Sequence, residues 1–312
     1  MLSVSVVIPL YNKGPYIART IDSVLAQTVF DFEIVIVDDG STDNGPDVVA
    51  TYQDDRIRLI KQENQGVSAA RNRGISEASS DFIAFLDADD EWEADHLETL
   101  LRLRSNFPQS GAFATAYVRL LKGRKVVFPN FQAIPPAPWE GVISDYFQAA
   151  ALGAPPVWTS AVAIPSRVFK EVGLFQVGVC FGEDHDMWGR IALVRAIAFS
   201  WKGVAIYRQD SESGLCLEAK IDSEFPFLKT VSRLFPEGNL PVSLNKYVMR
   251  MQNRFLELLI ESGQKKRAWN YLFSKKNLIA RKKRLIPSLI KIMFPRRLLF
   301  FLRRIKTFTD QK

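Results

Sequence analysis

Alternation of short apolar runs with amphipathic helix patterns is the feature that most restricts how this chain can fold. SVSVVIP is followed by PYIARTIDSVLAQ, which places Ile17, Ile21, Val24 and Leu25 on one helical face. The apolar runs EIVIVDDG, RIRLI and FIAFLD follow, with helix patterns around 47–52, 67–78 and 94–104. Strands that are apolar throughout and alternate with such helices predict an α/β fold with a mostly parallel central sheet flanked by helices.

The regularity fades after residue 110. AFATAYVRLL, KVVFP, VWTSAVAIP and KGVAIY are predicted strands, NFQAIPPAPWEG is a proline-broken loop, and a helix is expected to begin near Glu183. From about Glu224 the pattern is helical, most clearly in Leu244–Ser262, a helix through which a second subunit could pair. We therefore predict an α/β domain over 1–215 with halves 1–110 and 111–215, a helical extension over 216–264, and a tail over 265–312.

The tail carries the basic charge of the chain. Its 48 residues hold 16 of the 41 Lys and Arg residues and one of the 34 acids, which leaves +15 there and −8 elsewhere. Cationic clusters alternate with apolar runs such as LLFFL, a pattern typical of segments that lie on an anionic membrane surface. A solvated helical face is the alternative. Nucleic acid is not expected as a partner, because Leu, Ile and Phe outnumber side chains that read bases.

Composition excludes several other classes. The sequence starts without a basic n-region or a long apolar stretch, so a cytoplasmic protein is expected, peripheral on the inner face of the membrane through its tail. No transmembrane helix is expected, since Lys291 and Pro295 interrupt the most apolar stretch. Cys180 and Cys216 lie outside any CxxC pattern and are expected to be free thiols.

Acidic residues follow two of the predicted strands, at the edge where an open parallel sheet binds its ligands. In DADD (Asp87–Asp90), three carboxylates within four positions repel one another unless a positive charge lies among them or water screens them. A bound cation would supply that charge, and hard oxygen ligands suit Mg²⁺ or Mn²⁺. The competing interpretation is that Asp89 or Asp90 caps the following helix.

DDGSTD (Asp38–Asp43) ends the second predicted strand. A turn at Gly40, with Ser41, Thr42 or Asp43 capping the next helix, explains much of it. The adjacent acids Asp38 and Asp39 remain unexplained by that turn, and a carboxylate there could accept an N–H from a nucleobase such as uracil.

Two further motifs carry charge that a site could use. In ENQGVSAARNRGI, Gly66 permits close approach and Arg71 could pair with phosphate or base oxygens, although a surface arginine is the alternative. In FGEDHDMWGR, Glu183 and Asp184 are either first-turn acids of a helix or carboxylates that accept a proton from a hydroxyl.

The chain contains two histidines. His185 could act as a base or ligand, whereas a packing role is the more ordinary one for a lone histidine at a helix start. His96 is expected on a surface helix. Neither a P-loop nor a GxGxxG fingerprint occurs.

Taken in order, VVIPLYN, VDDGSTD, NQGVSAARNRGI, FLDADDEW and GEDHDMW resemble the motifs of the family 2 glycosyltransferases, which have the GT-A (Rossmann-like) fold. The resemblance covers Ser3–Tyr207 and leaves the tail outside. It implies an inverting, nucleotide-sugar-dependent transferase that uses Mn²⁺ or Mg²⁺. A UDP-sugar is the expected donor.

The resemblance also implies roles for individual residues. Asp87 and Asp89 look like the family's Asp-x-Asp metal motif, with Asp89 the more direct ligand. Asp184 is similar to the general base, and Glu183 is the second choice because this short alignment can slip by one. The implied nucleotide pocket comprises Pro9, Leu10, Tyr11, Asp38, Asp39, Gly66, Arg71, Asp87 and Ala88, with Asp39 accepting from uracil.

The sequence indicates less about the acceptor than about the donor. Processive synthases carry Gln-x-x-Arg-Trp and transmembrane helices, whereas this chain has only QNRF at Gln252–Phe255, so transfer of a single sugar is expected. The basic tail suggests a lipid-linked glycan, in bacterial polysaccharide or lipopolysaccharide synthesis. The acceptor region is expected over 130–159, with Trp158 and Trp188 as stacking platforms or, alternatively, core residues.

Three other classes of protein share some of these features. A sugar nucleotidyltransferase shares the carboxylates and metal, but its glycine-rich basic loop after the first strand is replaced here by YNKGPY. A non-catalytic sugar-nucleotide or membrane-binding module would be expected to have lost Asp89 or Asp184. A glycoside hydrolase uses paired carboxylates without a metal motif.

Deleting Lys265–Lys312 should abolish co-sedimentation of the protein with anionic liposomes, because the truncation removes the +15 segment. The measurement is the bound fraction against vesicles with and without anionic lipid. Equal binding by the truncated and full-length chains would refute the role of the tail.

Overall fold

The apolar runs of the first hundred residues form four neighbouring parallel strands, as predicted. In the computed structural model they are β1 (Val4–Leu10), β2 (Phe32–Asp38), β3 (Ile57–Lys61) and β4 (Phe82–Phe85), in the order β3-β2-β1-β4. Every residue of β2 is buried. Because alternate side chains of a strand point to opposite faces, this burial means that helices cover the sheet on both sides.

The helices that follow these strands also lie where the sequence predicts them: α1 (Gly14–Leu25), α2 (Gly45–Ala50), α3 (Val67–Glu77) and α4 (His96–Asn106). Ile17, Ile21 and Val24 of α1 are fully buried. α3 approaches β1 closely, since a Cβ on Gly74 would lie 2.2 Å from Val7 Cγ1. Only a residue without a Cβ therefore fits at this contact between α3 and β1.

The second half of the sheet is mixed. It is built from β5 (Glu91–Trp92), β6 (Ala112–Leu121), β7 (Lys125–Val127), β8 (Glu140–Val142), β9 (Val162–Pro165) and β10 (Ile197–Arg208). β9 lies between β4 and β6 and is antiparallel to both, whereas β6 and β10 are parallel. The order therefore continues β4-β9-β6-β10-β5.

Some elements differ from the sequence prediction. VWTSAVAIP yields only β9, because Thr159–Ala161 form a 3₁₀ turn whose Ser160 carbonyl accepts from Trp92 Nε1 at 2.5 Å. KGVAIY is the end of the longer β10, which is irregular around Gly203 at φ +66°. The short helices α5 (Tyr146–Leu152) and α6 (Ser166–Val172) were not predicted.

The remaining helices are α7 (Glu183–Val194), α8 (Pro226–Leu234), α9 (Val242–Glu261) and α10 (Lys265–Phe273). α7 and α9 confirm the helices predicted from Glu183 and over Leu244–Ser262. Residues 2–209 and 225–247 form one compact unit, and 223–224 with 248–273 form a second. No helix of the described residues is long and apolar enough to span a membrane.

The structure describes residues 2–122, 125–179, 181–209 and 223–273. The predictions made for Cys180, Cys216 and the tail beyond Phe273 lie outside the described residues.

His96, expected on the surface, is instead fully buried. Its ring stacks on Trp92 with centroids 4.3 Å apart, and its Nδ1 lies 2.5 Å from the carbonyl oxygen of Gly203. The irregularity of β10 brings that carbonyl to the N-terminus of α4. Burial lowers the pKa of His96 to about 3, an effect that the Gly203 contact only partly opposes, so the imidazole is neutral.

Replacing His96 by glutamine should make the free energy of unfolding depend less on pH in the acidic range. Because its pKa is lowered from 6.5 to about 3, His96 makes a contribution to the free energy of unfolding that is complete above pH 6.5. This contribution is lost as the pH falls toward 3. In that window the unfolded chain binds a proton that the folded chain does not, which adds a slope of about 1.4 kcal/mol per pH unit.

Urea titrations between neutral pH and about pH 4 measure this slope. His185→Gln is the matched control, because His185 is the only other histidine of the chain. Parallel profiles for the wild type and both variants would show that His96 does not have the lowered pKa.

Candidate active site

A cavity of about 820 Å³ opens at the carboxyl ends of β1, β2 and β4. The predicted site residues that line it are Pro9, Leu10, Tyr11, Asp39, Gly66, Arg71, Asp87, Ala88, Asp89, Glu183 and Asp184. The fold thus brings together residues from five separate sequence motifs. Asp38 and His185 are not among the lining residues: Asp38 Oδ1 accepts from the Ser41 amide at 2.9 Å, and His185 Nδ1 lies 3.2 Å from the Tyr247 hydroxyl.

Asp39 fastens the end of β2 to the loop before α3. Its buried carboxylate accepts from Gln62 Nε2 at 2.7 Å and from the amides of Gln65 and Gly66 at 3.0 and 2.8 Å. These bonds hold Gly66 at φ +89°, a conformation that favours glycine. A carboxylate has about four lone-pair sites, so three donors leave capacity for one more N–H.

Asp43 performs the capping expected within DDGSTD. Its Oδ2 accepts from the amide of Gly14 at 2.7 Å and its Oδ1 from that of Gly45 at 2.9 Å. Gly14 and Gly45 are the first residues of α1 and α2. One carboxylate therefore satisfies an amide at the start of two helices, where negative charge is favourable.

Arg71 joins the two acidic motifs. It extends from α3 and is almost completely buried, with Nη2 2.9 Å from Asp87 Oδ1 and Nη1 2.9 Å from Glu183 Oε1. Burial disfavours the guanidinium charge, yet Asp87 and Glu183 outweigh burial and raise the pKa of Arg71. The guanidinium thus fixes the end of β4 against the first turn of α7.

Asp89 has a cation of its own. Lys13 Nζ lies 2.5 Å from Asp89 Oδ2, and Arg19 Nη2 lies 3.2 Å from the Asp89 carbonyl oxygen. Lys13 immediately precedes α1. It lines the cavity and was not predicted as a site residue, although its position directly after the YN that follows β1 was a usable signal.

Asp90 has a structural role. Its carboxylate is buried and accepts from Ser160 Oγ at 2.6 Å and from the Arg208 amide at 3.0 Å, so it ties the turn after β4 to β10. Burial and then the charges of Asp87 and Asp89 raise its pKa well above the ordinary value. The competing interpretation, that Asp89 or Asp90 caps the following helix, is wrong, since α4 begins at His96 with Asp95 before it.

The acids at the start of α7 have separate environments. Burial and then the neighbouring Asp184 raise the pKa of Glu183, while Arg71 opposes them. Asp184 lines the cavity, and its Oδ1 accepts from the His185 amide at 2.7 Å. Asp186 points away into the core, where it binds Arg190 Nε at 2.8 Å. Within the described residues, Asp184 is the acid of this motif that has no ion pair.

One wall of the cavity is aromatic. Trp158 and Tyr207 both line it, with ring centroids 4.3 Å apart. Trp188 is fully buried against Phe175, which confirms the alternative that it is a core residue. Tyr207 was missed because it lies at the end of β10, whose position at the cavity depends on strand pairing.

The carboxylates at the cavity suit a divalent cation under one condition. Asp87 and Asp89 offer hard oxygen atoms at the same cavity, but the described residues contain no cluster of three or more His, Cys, Asp or Glu side chains able to hold an ion. Mg²⁺ and related ions are commonly bound by one or two carboxylates together with substrate phosphates. The residues therefore suit an ion that arrives with, or is completed by, a phosphorylated ligand.

Comparisons with known proteins show which sequences and folds this chain is similar to. Residues 5–138 match the family model described as glycosyl transferase family 2. An uncharacterized glycosyltransferase of a Nostoc species is 48% identical over 105 residues, and the putative glycosyltransferase EpsH of Bacillus subtilis is 45% identical over 102. These matches cover 33% and 32% of this chain and 33% and 30% of the relatives, so the chain spans about a third of their length.

Solved structures of Staphylococcus aureus TarS (1–349) share the fold. The complex of TarS with UDP-GlcNAc superposes with a TM-score of 0.61 at 19% identity, covering 94% of this chain and 80% of TarS. The complex of TarS with UDP superposes with a TM-score of 0.55 at 18% identity, covering 87% of this chain and 88% of TarS. The shared architecture is the GT-A fold that the sequence motifs predicted.

Replacing Arg71 by methionine should lower the free energy of unfolding by about 3–5 kcal/mol, because Asp87 and Glu183 would lose the buried cation between them. Arg73→Met, on the same helix, is the matched control. Arg73 is largely exposed and pairs with Glu77 four residues later, so its loss should cost no more than about 0.5 kcal/mol.

Chemical denaturation measures both changes. Adding Glu183→Gln to Arg71→Met should recover part of the loss, since one of the two uncompensated charges is then removed. Similar stabilities for the Arg71 and Arg73 variants would show that the bridge does not hold the site together.

Proposed function

We propose that this chain, whose residues 5–138 match the glycosyl transferase family 2 model, transfers one sugar from a nucleotide-diphospho-sugar to an acceptor hydroxyl with inversion. One observation carries the proposal: a single cavity at the strand ends is lined by Asp39, Asp87, Asp89 and Asp184. These residues come from distant motifs and suit the separate tasks of base recognition, diphosphate binding and proton removal.

The donor is proposed to be a UDP-sugar, which the UDP-GlcNAc and UDP complexes of TarS support by analogy of fold. The remaining lone pair of Asp39 would accept the N–H of uracil, with Pro9, Leu10 and Tyr11 bordering the base. Arg71 donates two of its N–H groups to Asp87 and Glu183, so we propose that it positions these carboxylates. Its direct contact with the nucleotide remains a prediction.

Asp87 and Asp89 are proposed to hold Mn²⁺ or Mg²⁺ together with the diphosphate of the donor. The ion would supply positive charge where the leaving diphosphate becomes more negative. Arg71 fixes Asp87 for this task before the donor binds, whereas Asp89 is paired with Lys13 until a cation is bound.

Asp184 is proposed as the general base. Its carboxylate would take the proton of the acceptor hydroxyl as that oxygen bonds to the anomeric carbon. The bond from this carbon to the diphosphate oxygen breaks on the opposite face, and its electron pair leaves with the diphosphate. Glu183 is less suited, because Arg71 holds its carboxylate and would have to lose that ion pair if Glu183 took the proton.

The acceptor is proposed to be a glycan on a lipid carrier in bacterial polysaccharide or lipopolysaccharide synthesis, reached at the cytoplasmic face of the membrane. The aromatic faces of Trp158 and Tyr207 at the cavity suit a sugar ring. The basic sequence from Lys265 onward suits an anionic membrane surface.

The test measures UDP binding and UDP-sugar turnover in parallel, with Mn²⁺ present. Asp184→Asn should keep the affinity for UDP within about twofold while turnover falls by about 10²–10⁴-fold, because only proton removal is lost. Asp89→Ala should weaken UDP binding as well as turnover. Asp47→Asn is the control, since Asp47 is exposed on α2 and does not line the cavity.

Unchanged turnover in Asp184→Asn would remove Asp184 from the base role. Survival of activity in Asp89→Ala would contradict the role of the metal motif. Formation of a UDP-sugar from UTP and a sugar phosphate, without transfer to any hydroxyl, would favour a nucleotidyltransferase instead.

A further inference from the structure

We propose that Lys13 is an internal counter-ion of Asp89 that a divalent cation must displace, and that its ammonium group then moves to the diphosphate of the donor. Cation and donor consequently bind cooperatively. The inference rests on the proposed function and assigns to Lys13 a positioning role that the sequence motifs do not indicate.

The contact between the two side chains is direct. Lys13 Nζ lies 2.5 Å from Asp89 Oδ2, and only 11% and 17% of the two side chains are exposed. An ammonium group this close to a carboxylate oxygen occupies space and charge that a metal ligand would need. A divalent cation on Asp89 and the ammonium of Lys13 would repel each other strongly at such a short distance.

The backbone around Lys13 is firmly held, so displacement must involve the side chain. The Asn12 side chain accepts from the Thr42 amide at 2.8 Å, the Asn12 amide donates to Ser41 Oγ at 3.1 Å, and the Gly14 amide donates to Asp43 at 2.7 Å. These bonds fasten both neighbours of Lys13 to the loop after β2. The lysine stem is flexible, and its ammonium group is a compact donor that can turn toward a new partner.

The other cations nearby are held differently. The planar fork of Arg71 is fixed between Asp87 and Glu183. Arg19 and Arg208 both pair with Glu91. Lys13 contacts the carboxylate that the metal motif offers most directly, and it does so from the wall of the cavity that is to receive the donor.

Cooperativity follows from where the displaced ammonium can go. If the cation binds alone, Lys13 loses Asp89 while remaining in a site where it is only 8% exposed. If the diphosphate is present, its oxygens supply a replacement for Asp89. The nucleotide should therefore tighten cation binding, and by linkage the cation should tighten nucleotide binding by the same factor.

Mn²⁺ titrations of the full-length chain, followed by the paramagnetic resonance of free Mn²⁺, test this directly. In Lys13→Met, Mn²⁺ alone should bind about tenfold more tightly than in the wild type. The factor by which UDP strengthens Mn²⁺ binding should shrink from within the usual coupling range of about 5–150-fold toward one. Lys13→Arg, which keeps the charge, should resemble the wild type in the absence of UDP.

Two further variants provide a control and locate the bound ion. Lys61→Met is the matched control, because Lys61 is exposed at the end of β3 and does not line the cavity; it should leave every constant unchanged. Adding Asp89→Asn to Lys13→Met should abolish the gain in Mn²⁺ affinity, which places the ion at Asp89.

Mn²⁺ affinity that is equal within twofold in Lys13→Met and the wild type, or absent from both without UDP, would overturn the proposal. An undiminished coupling with UDP in Lys13→Met would overturn it as well. Failure of the proposed function is distinguishable: the wild type would then bind no UDP at any Mn²⁺ concentration, while the comparison of Mn²⁺ binding between Lys13→Met and the wild type would still decide whether Lys13 blocks Asp89.

Discussion

The ion pairs of Arg71 with Asp87 and Glu183 are the interaction on which the site depends. Asp87 lies just after the parallel strand β4, and Glu183 begins the helix α7 of the same unit. A buried arginine between them is stable only while both carboxylates stay in place, because removing either partner leaves an uncompensated charge. The bridge therefore sets where Asp184, the next residue along α7, lies relative to Asp87 and Asp89.

The same pairing logic explains how a strand can run directly into a cluster of acids. The sequence suggested a bound cation, but the folded chain supplies its own positive charges: Arg71 for Asp87, Lys13 for Asp89, and Arg19 with Arg208 for Glu91. Asp90 differs, because its buried carboxyl has a raised pKa and is bonded to Ser160 and the Arg208 amide. Arg71 thus fixes Asp87 before a charged ligand binds, whereas in our proposal the Lys13–Asp89 pair separates when a cation binds.

The first half of the fold was predictable because its information is local. Apolar runs and helix faces recur in order, and parallel strands joined by helices leave few topologies. The second half was not, since β9 is inserted between β4 and β6 with antiparallel pairing to both. The same holds for the two-residue β5, for α5 and α6, and for His96, whose burial depends on the Gly203 carbonyl of a distant strand.

By itself, the sequence determined the fold class, the position of the site at the strand ends, and the acids Asp39, Asp87, Asp89 and Asp184 that line the cavity, because strand ends and motif residues are fixed by local pattern. Only the tertiary structure decided which cation each acid meets, that Asp90 is structural, and that Lys13, Trp158 and Tyr207 border the same space. The physical reason is that charge pairing and burial depend on distances between residues far apart in the chain, and these distances do not exist until the sheet has formed.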